Sequence, residues 1–558
     1  MSNVFDAIVV GSGISGGWAA KELCEKGLKV LLLERGRQVD HPSYPDAMKA
    51  PWEFPHRERI TDQDRREYYI QSQTRQFSEA TKPFFVKDTD QPYATPDELP
   101  FYWIRGYQVG GRSLTWGRQS YRLSDLDFEA NLKDGIAVDW PIRYKDLEPW
   151  YDYVESFAGI SGQAEGLPHL PDGKFLPPME MNCAERHVKD AIARHFPGRV
   201  MTIGRVANLT QPHNGRGSCQ YRNLCSRGCP YGAYFSSNSA TLPAAAATGN
   251  LTLRSNAIVH SVIYDEQQDR AAGVQVIDAE TLAVTEYFAR IIFLNASTIN
   301  TAAILLNSAT PRFSEGLGNS SGQLGKNLMD HHFMAGARGE IPGFEDQHYY
   351  GRRPNGVYVP RFRNLGGERS DYIRGFGYQG LAMRSGWGRG MQQTGFGADF
   401  KDQLAEPGPW IMNFTGFGEC LPHPGNFVNI DPSRQDTWGM PIIQIVMQFR
   451  ENERAMRPDM VQSAAEMLEA AGAKQIQPYD EGAIPGLGIH EMGTARMGRD
   501  PKTSVLNAWN QMHDVPNIFI TDGSAMTSSA CQNPSLTYMA LTARACDYAV
   551  RELKRGNL

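Results

Sequence analysis

The sequence predicts an α/β protein carrying a second domain of α+β type built on an antiparallel sheet. Three observations predict it. A β-branched run, Ile8 to Val10, is broken by Gly11-Ser-Gly13-Ile-Ser-Gly16 and followed at once by a helix-forming run, Trp18 to Lys26. A second run of parallel-strand character, Arg290 to Ala296, is followed by a helical stretch, Thr301 to Leu306. From Pro342 to about Leu365 and from Pro422 to Arg450, Tyr, Val, Ile and Phe alternate with polar residues, as in antiparallel strands that would wall a separate domain.

The first unit reads as strand, tight turn, helix, closed by Gly27, with a second buried strand over Lys29 to Leu33 and Glu34 at its end. A dinucleotide site needs these parts. Glycine makes the turn and lets the backbone approach a pyrophosphate, the helix N-terminus faces the phosphates, and an acid takes a ribose hydroxyl. The glycine pattern alone is weak evidence, but here strand, helix and acid flank it near the expected spacing. Glu34 would repel a 2′-phosphate, which disfavours NADP and leaves NAD and FAD open.

A chain of 558 residues predicts two or three domains. Its 41% hydrophobic and 21% charged content, net charge of −6 and lack of a basic stripe exclude a disordered or nucleic-acid-binding protein. Apolar runs such as Ile291 to Leu294 fall far short of the roughly 18 residues of a membrane span, so the protein is not expected to be integral to a membrane. Met1 to Asp6 lead straight into the first strand, leaving no room for a signal peptide or a twin-arginine pair, so alone the chain is expected to stay in the cytoplasm.

From Val39 to Pro100 no period is sustained, which predicts irregular connecting structure or a lid. Arg105-Gly-Tyr-Gln-Val-Gly110-Gly111-Arg-Ser113-Leu-Thr115-Trp116-Gly117 is a second glycine-dense stretch, either a ligand-facing loop or a tight surface turn. Trp140 to Phe157 has apolar residues three and four apart and predicts a helix on a core. Ile258 to Tyr264 and Gly273 to Ile277, joined by a polar turn, predict a β-meander. Met456 to Ala471 predicts an amphipathic helix ended by Gly472.

Of eight cysteines, Cys24, Cys183, Cys420, Cys531 and Cys546 are scattered and read as small buried side chains. Cys219, Cys225 and Cys229 fall within eleven residues, with Gly228 and Pro230 bending the chain around them. Three readings stand: an iron–sulfur cluster on an irregular loop, a Cys₃His zinc site completed by His213, or no metal, with either a disulfide and one spare thiol or three unligated cysteines. Arg222 and Arg227 would favour thiolate.

Near the C-terminus, His490 precedes small and glycine-rich residues, Asn517 to Asp522 reads as a strand ending in an acid, and Asn533-Pro534 suits the start of a final helix. With these motifs in hand, the chain resembles the glucose–methanol–choline (GMC) flavoprotein oxidoreductases over nearly its whole length. The carriers are Gly11 to Gly16 with Glu34, Val109 to Gly117, Gly318 to His331, His490-Glu-Met-Gly-Thr494, Asp522-Gly523-Ser524 and Asn533-Pro-Ser-Leu-Thr537. The resemblance implies a Rossmann-like FAD-binding domain and an antiparallel-sheet substrate domain. It assigns FAD contacts to Gly11, Gly13, Ser15, Gly16, Glu34, Arg35, Arg105, Gly110, Gly111, Ser113, Thr115, Trp116, Gly117, Val259, Asp522, Gly523, Asn533, Pro534 and Thr537, and makes His490 and Asn533 the catalytic pair. Where some relatives attach FAD covalently through a histidine, this chain has Thr115, implying non-covalent FAD. Its second signature is degenerate as Asn295-Ala-Ser-Thr-Ile-Asn300, so no contacts are carried over there.

The C-x₅-C-x₃-C spacing resembles the loop that holds a [3Fe–4S] cluster in catalytic subunits of bacterial sugar dehydrogenases acting on glucose, fructose, gluconate or glycoside C3. This implies Cys219, Cys225 and Cys229 as cluster ligands. The expected activity is oxidation of a sugar or glycoside hydroxyl, favoured at C3 of a glucoside, by hydride transfer to flavin N5. Electrons would leave through the cluster to a carrier such as a cytochrome c. The same relatives imply a small export subunit and a periplasmic location, with the cytoplasm as alternative. An oxygen-using sugar oxidase without a cluster, a gluconate or fructose dehydrogenase, and a non-catalytic subunit keeping the flavin fold are the competing readings. Expected bounds are residues 1–50, 100–135, 235–330 and 485–558 for the FAD domain, 136–218 and 331–484 for the substrate domain, 219–230 for the cluster loop and 51–99 for the connection. Glu419, Trp438, Gln444 and Gln448 are candidates for contacting substrate.

Overall fold

The structure is a computed structural model that describes residues 3–44, 46–366 and 370–558. Two sheets organise it. The first has seven strands in the order Leu251–Arg254, Val30–Leu33, Val4–Val10, Val284–Leu294, Arg270–Asp278, Ala257–Asp265, with Ile518–Ile520 also pairing Val284–Leu294. The five strands nearest the glycine turn run parallel, and the meander adds two antiparallel ones. Register fixes the site. Val10 pairs with Leu33 and with Leu294, and Leu294 with Ile520, so these strands end level. The residues that follow, Gly11, Glu34, Asn295 and Thr521-Asp522, therefore gather along one edge, the carboxyl edge where parallel sheets bind ligands.

Gly11 and Gly16 are dictated by close approach. A Cβ on Gly11, at φ +90°, would lie 2.3 Å from the Asn295 carbonyl oxygen, and one on Gly16 would lie 1.7 Å from that of Gly11. The helix Ile14–Glu25 thus presses directly on the turn. Its other flank packs on the final helix Ser535–Arg555, which packs on Tyr144–Ala158.

The second sheet is antiparallel, in the order Lys474–Asp480, His332–Ile341, Trp410–Gly418, Phe376–Arg384, Val357–Val359, Thr202–Ile203. The helices Glu451–Ala470 and Cys183–His195 pack on one face. In Trp410–Gly418 the alternation separates the two faces: Trp410, Met412 and Phe414 are buried in the core that includes Met456 and Met460 of the Glu451–Ala470 helix, while Asn413, Thr415 and Phe417 line a cavity on the other side.

Two expectations are corrected. The helix Tyr144–Ala158 joins the core of the first sheet through Leu147, Tyr151 and Val154, so the 136–218 segment is shared between the two halves. The region Pro422 to Arg450 does form antiparallel strands, Phe427–Gln435 with Pro441–Val446, but as a separate ribbon against the helix Thr298–Leu306. Val428 and Ile445 are buried in the first core, which holds the ribbon there. The ribbon lines the cavity only at its Arg35 end, through Ile430, Asp436, Met440, Ile442 and Ile443, and the end beside His490 is walled by Phe376–Arg384 and Trp410–Gly418. The segment 51–99 contains one short α-helix, Asp62–Glu67, and several 3₁₀ turns. Its Ile70, Phe77, Phe84 and Phe85 form an apolar cluster with Val39, Ile104 and Leu114.

Candidate active site

One cavity of about 760 Å³ runs between the two sheets. On the first sheet it is lined by Gly11, Gly13, Ser15, Glu34 and Arg35, and no heavy atom lies within 4 Å of where a Cβ on Gly13 would be. Glu34 is buried, and its carboxylate accepts from the Ser12 amide at 3.1 Å, the Ser12 hydroxyl at 2.5 Å and the Gly36 amide at 2.9 Å. Burial pushes its pKa up, opposed by those donors. Arg35 lies over the rings of Tyr107 and Trp438 and donates to Gln91 at 2.9 Å. Arg105 is buried, with its guanidinium over Trp103 and a bond of 2.8 Å to the Gln91 carbonyl.

The second glycine loop is tied to the first. The Gly110 amide donates to Ser12 Oγ at 2.9 Å, the Ser113 hydroxyl donates to the Gly110 carbonyl, and a Cβ on Gly111 would lie 3.3 Å from Gly13 Cα. Gly111, Ser113, Thr115, Trp116 and Gly117 line the cavity, as do Val259, Asp522, Gly523, Asn533 and Pro534. Asp522 accepts from Ser524 and from Thr301 Oγ1 at 2.7 Å. Three assigned contacts do not line the cavity. Gly16 is pressed on the Gly11 carbonyl, Gly110 on Asn238, and Thr537 bonds Tyr151 Oη at 2.8 Å. They support the walls from behind. The degenerate stretch, by contrast, does line it: Asn295 to Thr298 and Asn300 face the space, with Ser297 at φ +79° opening the helix Thr298–Leu306. No glycine marked that function in the sequence.

At the second sheet, His490 and Asn533 meet: Asn533 Nδ2 lies 3.2 Å from His490 Nε2. The other imidazole nitrogen, Nδ1, is 2.9 Å from Nδ1 of His331, whose Nε2 is 2.8 Å from the Ala530 carbonyl. Asp330 holds the His490 loop. Its carboxylate accepts from the amides of His331, Gly486, Gly488 and His490 at 2.9 to 3.0 Å. A Cβ on Gly488 would lie 2.4 Å from Asp330 Oδ1, and Ile489 is held at φ +60°, a costly conformation for a β-branched residue. Burial, with Glu491 nearby, raises Asp330 to about 7 against those donors. Burial also depresses His331 to about 4 and His490 well below its ordinary value. Both imidazoles are therefore neutral at pH 7, the state a general base requires.

Arg112 pairs with Glu491 in two contacts, 2.6 and 3.2 Å, beside this pair. Gln379, Asn413, Thr415, Gln119, Asn355, Phe333 and Phe417 complete the wall. The four candidates Glu419, Trp438, Gln444 and Gln448 do not line the cavity. Glu419 is buried against Arg374 at 3.2 Å, and Trp438 donates its indole N–H to the Ala279 carbonyl.

Cys219, Cys225 and Cys229 are free, half-buried, and line one small cavity of about 30 Å³. Among the described residues no three His, Cys, Asp or Glu side chains have an arrangement that would hold a metal ion. His213 bonds the Ser156 carbonyl at 2.8 Å instead of completing a Cys₃His site. The expected thiolate-favouring charge acts only in part: Arg222 favours the Cys229 thiolate, but burial outweighs it. Arg227 pairs with Glu58 at 2.6 Å, Arg222 donates to the Ala47 carbonyl at 2.5 Å, and burial pushes the Cys219 and Cys229 thiols up.

A dinucleotide cradle at the carboxyl edge of a parallel sheet, opening onto a neutral histidine and an amide, defines an oxidoreductase that works on alcohol groups. The N-terminal GMC oxidoreductase profile matches residues 5–333 and the C-terminal GMC oxidoreductase profile residues 422–542, and the chain belongs to this family, which implies FAD. It is 30% identical to 2-methyl-1,2-propanediol dehydrogenase of Mycolicibacterium austroafricanum, over 98% of this chain and 95% of that one. It is 26% identical to the fructose dehydrogenase large subunit of Gluconobacter japonicus (99% and 98%) and 25% identical to the gluconate 2-dehydrogenase flavoprotein of Pantoea cypripedii (96% and 92%). Pyridoxine 4-oxidase from Mesorbium loti shares the fold, at 16% identity and a TM-score of 0.62, covering 98% of this chain and 99% of that one. The residues fit FAD: the cradle is open at Gly13, has room for no side chain at Gly11, and presents a buried acid at Glu34.

Proposed function

We propose that this chain is an FAD-dependent dehydrogenase that oxidises a hydroxyl of a sugar or glycoside, with C3 of a glucoside favoured. The observation that carries it is the pairing of His490 Nε2 with Asn533 Nδ2 at 3.2 Å on the wall of the dinucleotide cavity. An alcohol placed between them gives its proton to His490 Nε2 and rests its oxygen on the Asn533 amide, which stabilises the developing alkoxide. FAD, when bound, supplies the acceptor for the hydride that leaves the same carbon. The wall favours a neutral, hydroxyl-rich ring. Gln119, Asn355, Gln379, Asn413 and Thr415 offer amides and a hydroxyl, and Phe333 and Phe417 offer apolar faces. Among the charged lining residues, Arg75 approaches Glu481 at 3.8 Å and Arg112 pairs with Glu491 at 2.6 Å, so each of these two cations already faces a carboxylate. Relatives named for fructose and for a C-glycoside 3-oxidase support a sugar substrate.

We assign an iron–sulfur cluster, of [3Fe–4S] type, to Cys219, Cys225 and Cys229. The donor set suits it: three free thiols share one cavity, and His213 is bonded to the Ser156 carbonyl. Such a cluster supplies a one-electron exit toward a carrier such as a cytochrome c. Pro354 lines both cavities, and Arg118 of the larger one lies over Tyr234 of the smaller at 5.4 Å, so the two share a wall. The fructose dehydrogenase relative is named as a large subunit, which supports a smaller partner for this chain, and export to the periplasm with that partner is part of the same proposal. No helix among the described residues is long and apolar enough to cross a membrane. An oxygen-using oxidase is the second reading, and it holds if the three thiols bind no cluster. Anaerobic mixing of the holoenzyme with glucose, a methyl glucoside, fructose and gluconate, with product analysis, tests the substrate. Iron content and peroxide yield decide between dehydrogenase and oxidase.

A further inference from the structure

Alcohol oxidation needs more than a neutral histidine, because only one of its two tautomers presents a lone pair to substrate. An imidazole with Nε2–H toward the cavity cannot take the hydroxyl proton. The contacts around His490 decide which tautomer is present, and they can be solved from a single fixed point.

That point is the Ala530 carbonyl, which can only accept. His331 Nε2 lies 2.8 Å from it and must carry the proton there, since two facing lone pairs in a buried site would repel. His331 is neutral, so its Nδ1 is an acceptor. His490 Nδ1, at 2.9 Å, must then be the donor, and His490 Nε2 bears the lone pair. Asn533 accordingly presents its NH₂ to Nε2 at 3.2 Å. The opposite side is consistent with this orientation. Tyr121 donates to Gln119 Oε1 at 2.6 Å, Gln119 Nε2 approaches Gln379 Oε1 at 3.4 Å, and Gln379 Nε2 donates to Asn533 Oδ1 at 2.7 Å. That chain also leaves the Asn533 NH₂ facing His490.

We infer that His331 is a positioning residue that locks His490 as its Nδ1–H tautomer, with Gln379 locking the Asn533 amide, so that together they present one acceptor and one donor to a substrate hydroxyl. The O–H bond of the alcohol breaks, the proton forms a bond to Nε2, and His490 becomes an imidazolium still donating to His331. The polarity of the resting pair suits an alcohol, which can donate to Nε2 and accept from the Asn533 amide at once. This rests on the reading of His490 as the base.

The test uses FAD-loaded enzyme. Nitrogen NMR of histidine-labelled wild type, with the His490 signals assigned by their loss in His490→Ala, is expected to show a protonated Nδ1 and a bare Nε2. In His331→Leu this preference is lost. Flavin reduction, with whichever of glucose, methyl glucoside, fructose and gluconate reduces the wild type, falls by about 100-fold while FAD content is unchanged. His331→Asn, which places an acceptor oxygen toward His490 Nδ1, recovers about tenfold of that loss, a rescue a merely structural role would not give. Should His331→Leu unfold, the wild-type NMR and a Gln379→Glu variant remain. A carboxylate there cannot donate to Asn533 Oδ1, and reduction drops by about tenfold. A wild-type His490 with Nε2–H overturns the inference, as does a His331→Leu enzyme of wild-type rate beside an inactive His490→Ala. A His490→Ala enzyme of normal rate instead overturns the base assignment itself.

Discussion

The His490 cluster and the cysteine loop both gather ionisable side chains on a cavity wall, and they are prepared in opposite ways. Both ring nitrogens of His490 and of His331 have a partner, and four backbone amides fix the loop through Asp330. Around Cys219, Cys225 and Cys229 the thiols are free, Tyr221 and Asn223 sit at positive φ, and the neighbouring arginines serve other groups. Proton transfer needs its groups oriented before substrate arrives, whereas a thiol site can be completed by what it binds. The first region is built as a finished device and the second as a set of ligands.

The strongest way to break this contrast is His490→Ala. Flavin reduction by substrate is expected to fall by about 10³-fold with FAD still bound, read by stopped-flow absorbance. A near-normal rate removes His490 from the chemistry.

Cys225→Ser tests the other side. Flavin reduction by substrate is expected to stay within about twofold, since the residue lies outside the alcohol site. Iron per chain falls toward zero, and transfer to a cytochrome or dye slows by more than about tenfold. Equal iron in both proteins would return the thiols to being plain side chains.

The pH profile sharpens the contrast further. A base must be neutral, and burial holds the His490 conjugate acid well below 6.5, so His490 produces no acid limb between pH 6 and 8. A limb near pH 7 is expected from Asp330, raised by burial from 3.8 to about 7. As pH falls through 7 its protonation weakens the clamp on the His490 loop, and the rate drops a few fold. Stability moves the other way. The folded state binds this proton more tightly than the unfolded chain, so Asp330 adds stability as pH falls from about 7 toward 4 and withdraws it as pH rises through that window. In Asp330→Asn the limb disappears, and a limb that survives belongs to another group.

The smallest effect is expected at positions that alternation alone singled out. Gln444→Ala and Gln448→Ala leave substrate KM within about twofold, because neither lines the cavity. Asn413→Ala, on the strand that does, raises KM by about fivefold or more through a lost hydrogen bond. Equal effects at all three would move the substrate wall to the ribbon.

Much of the cradle was legible because its parts are local. Gly11, Glu34 and the helix after Gly13 lie within one strand–turn–helix–strand unit, where spacing fixes geometry. The cavity-lining stretch Asn295 to Asn300 was opaque. Ser297 reaches φ +79° without glycine because the strand Val284–Leu294 ends level with Val10 and forces the turn there. The wall strand Trp410–Gly418 alternates, but its cavity face mixes Asn413 and Thr415 with the apolar Ile411 and Phe417, and its partner strands are distant in sequence.

By itself the sequence determined the dinucleotide unit, the order of the family motifs, and that a histidine, an asparagine and three thiols were available. Tertiary structure alone decided which of them act together. The tautomer of His490 depends on a carbonyl forty residues away and on His331 from another sheet strand's start, and the substrate wall depends on which face of Trp410–Gly418 the helix Glu451–Ala470 covers. Local spacing sets backbone shape within a few residues. The direction of a hydrogen bond is set by whichever group the fold brings opposite, and no local pattern encodes that.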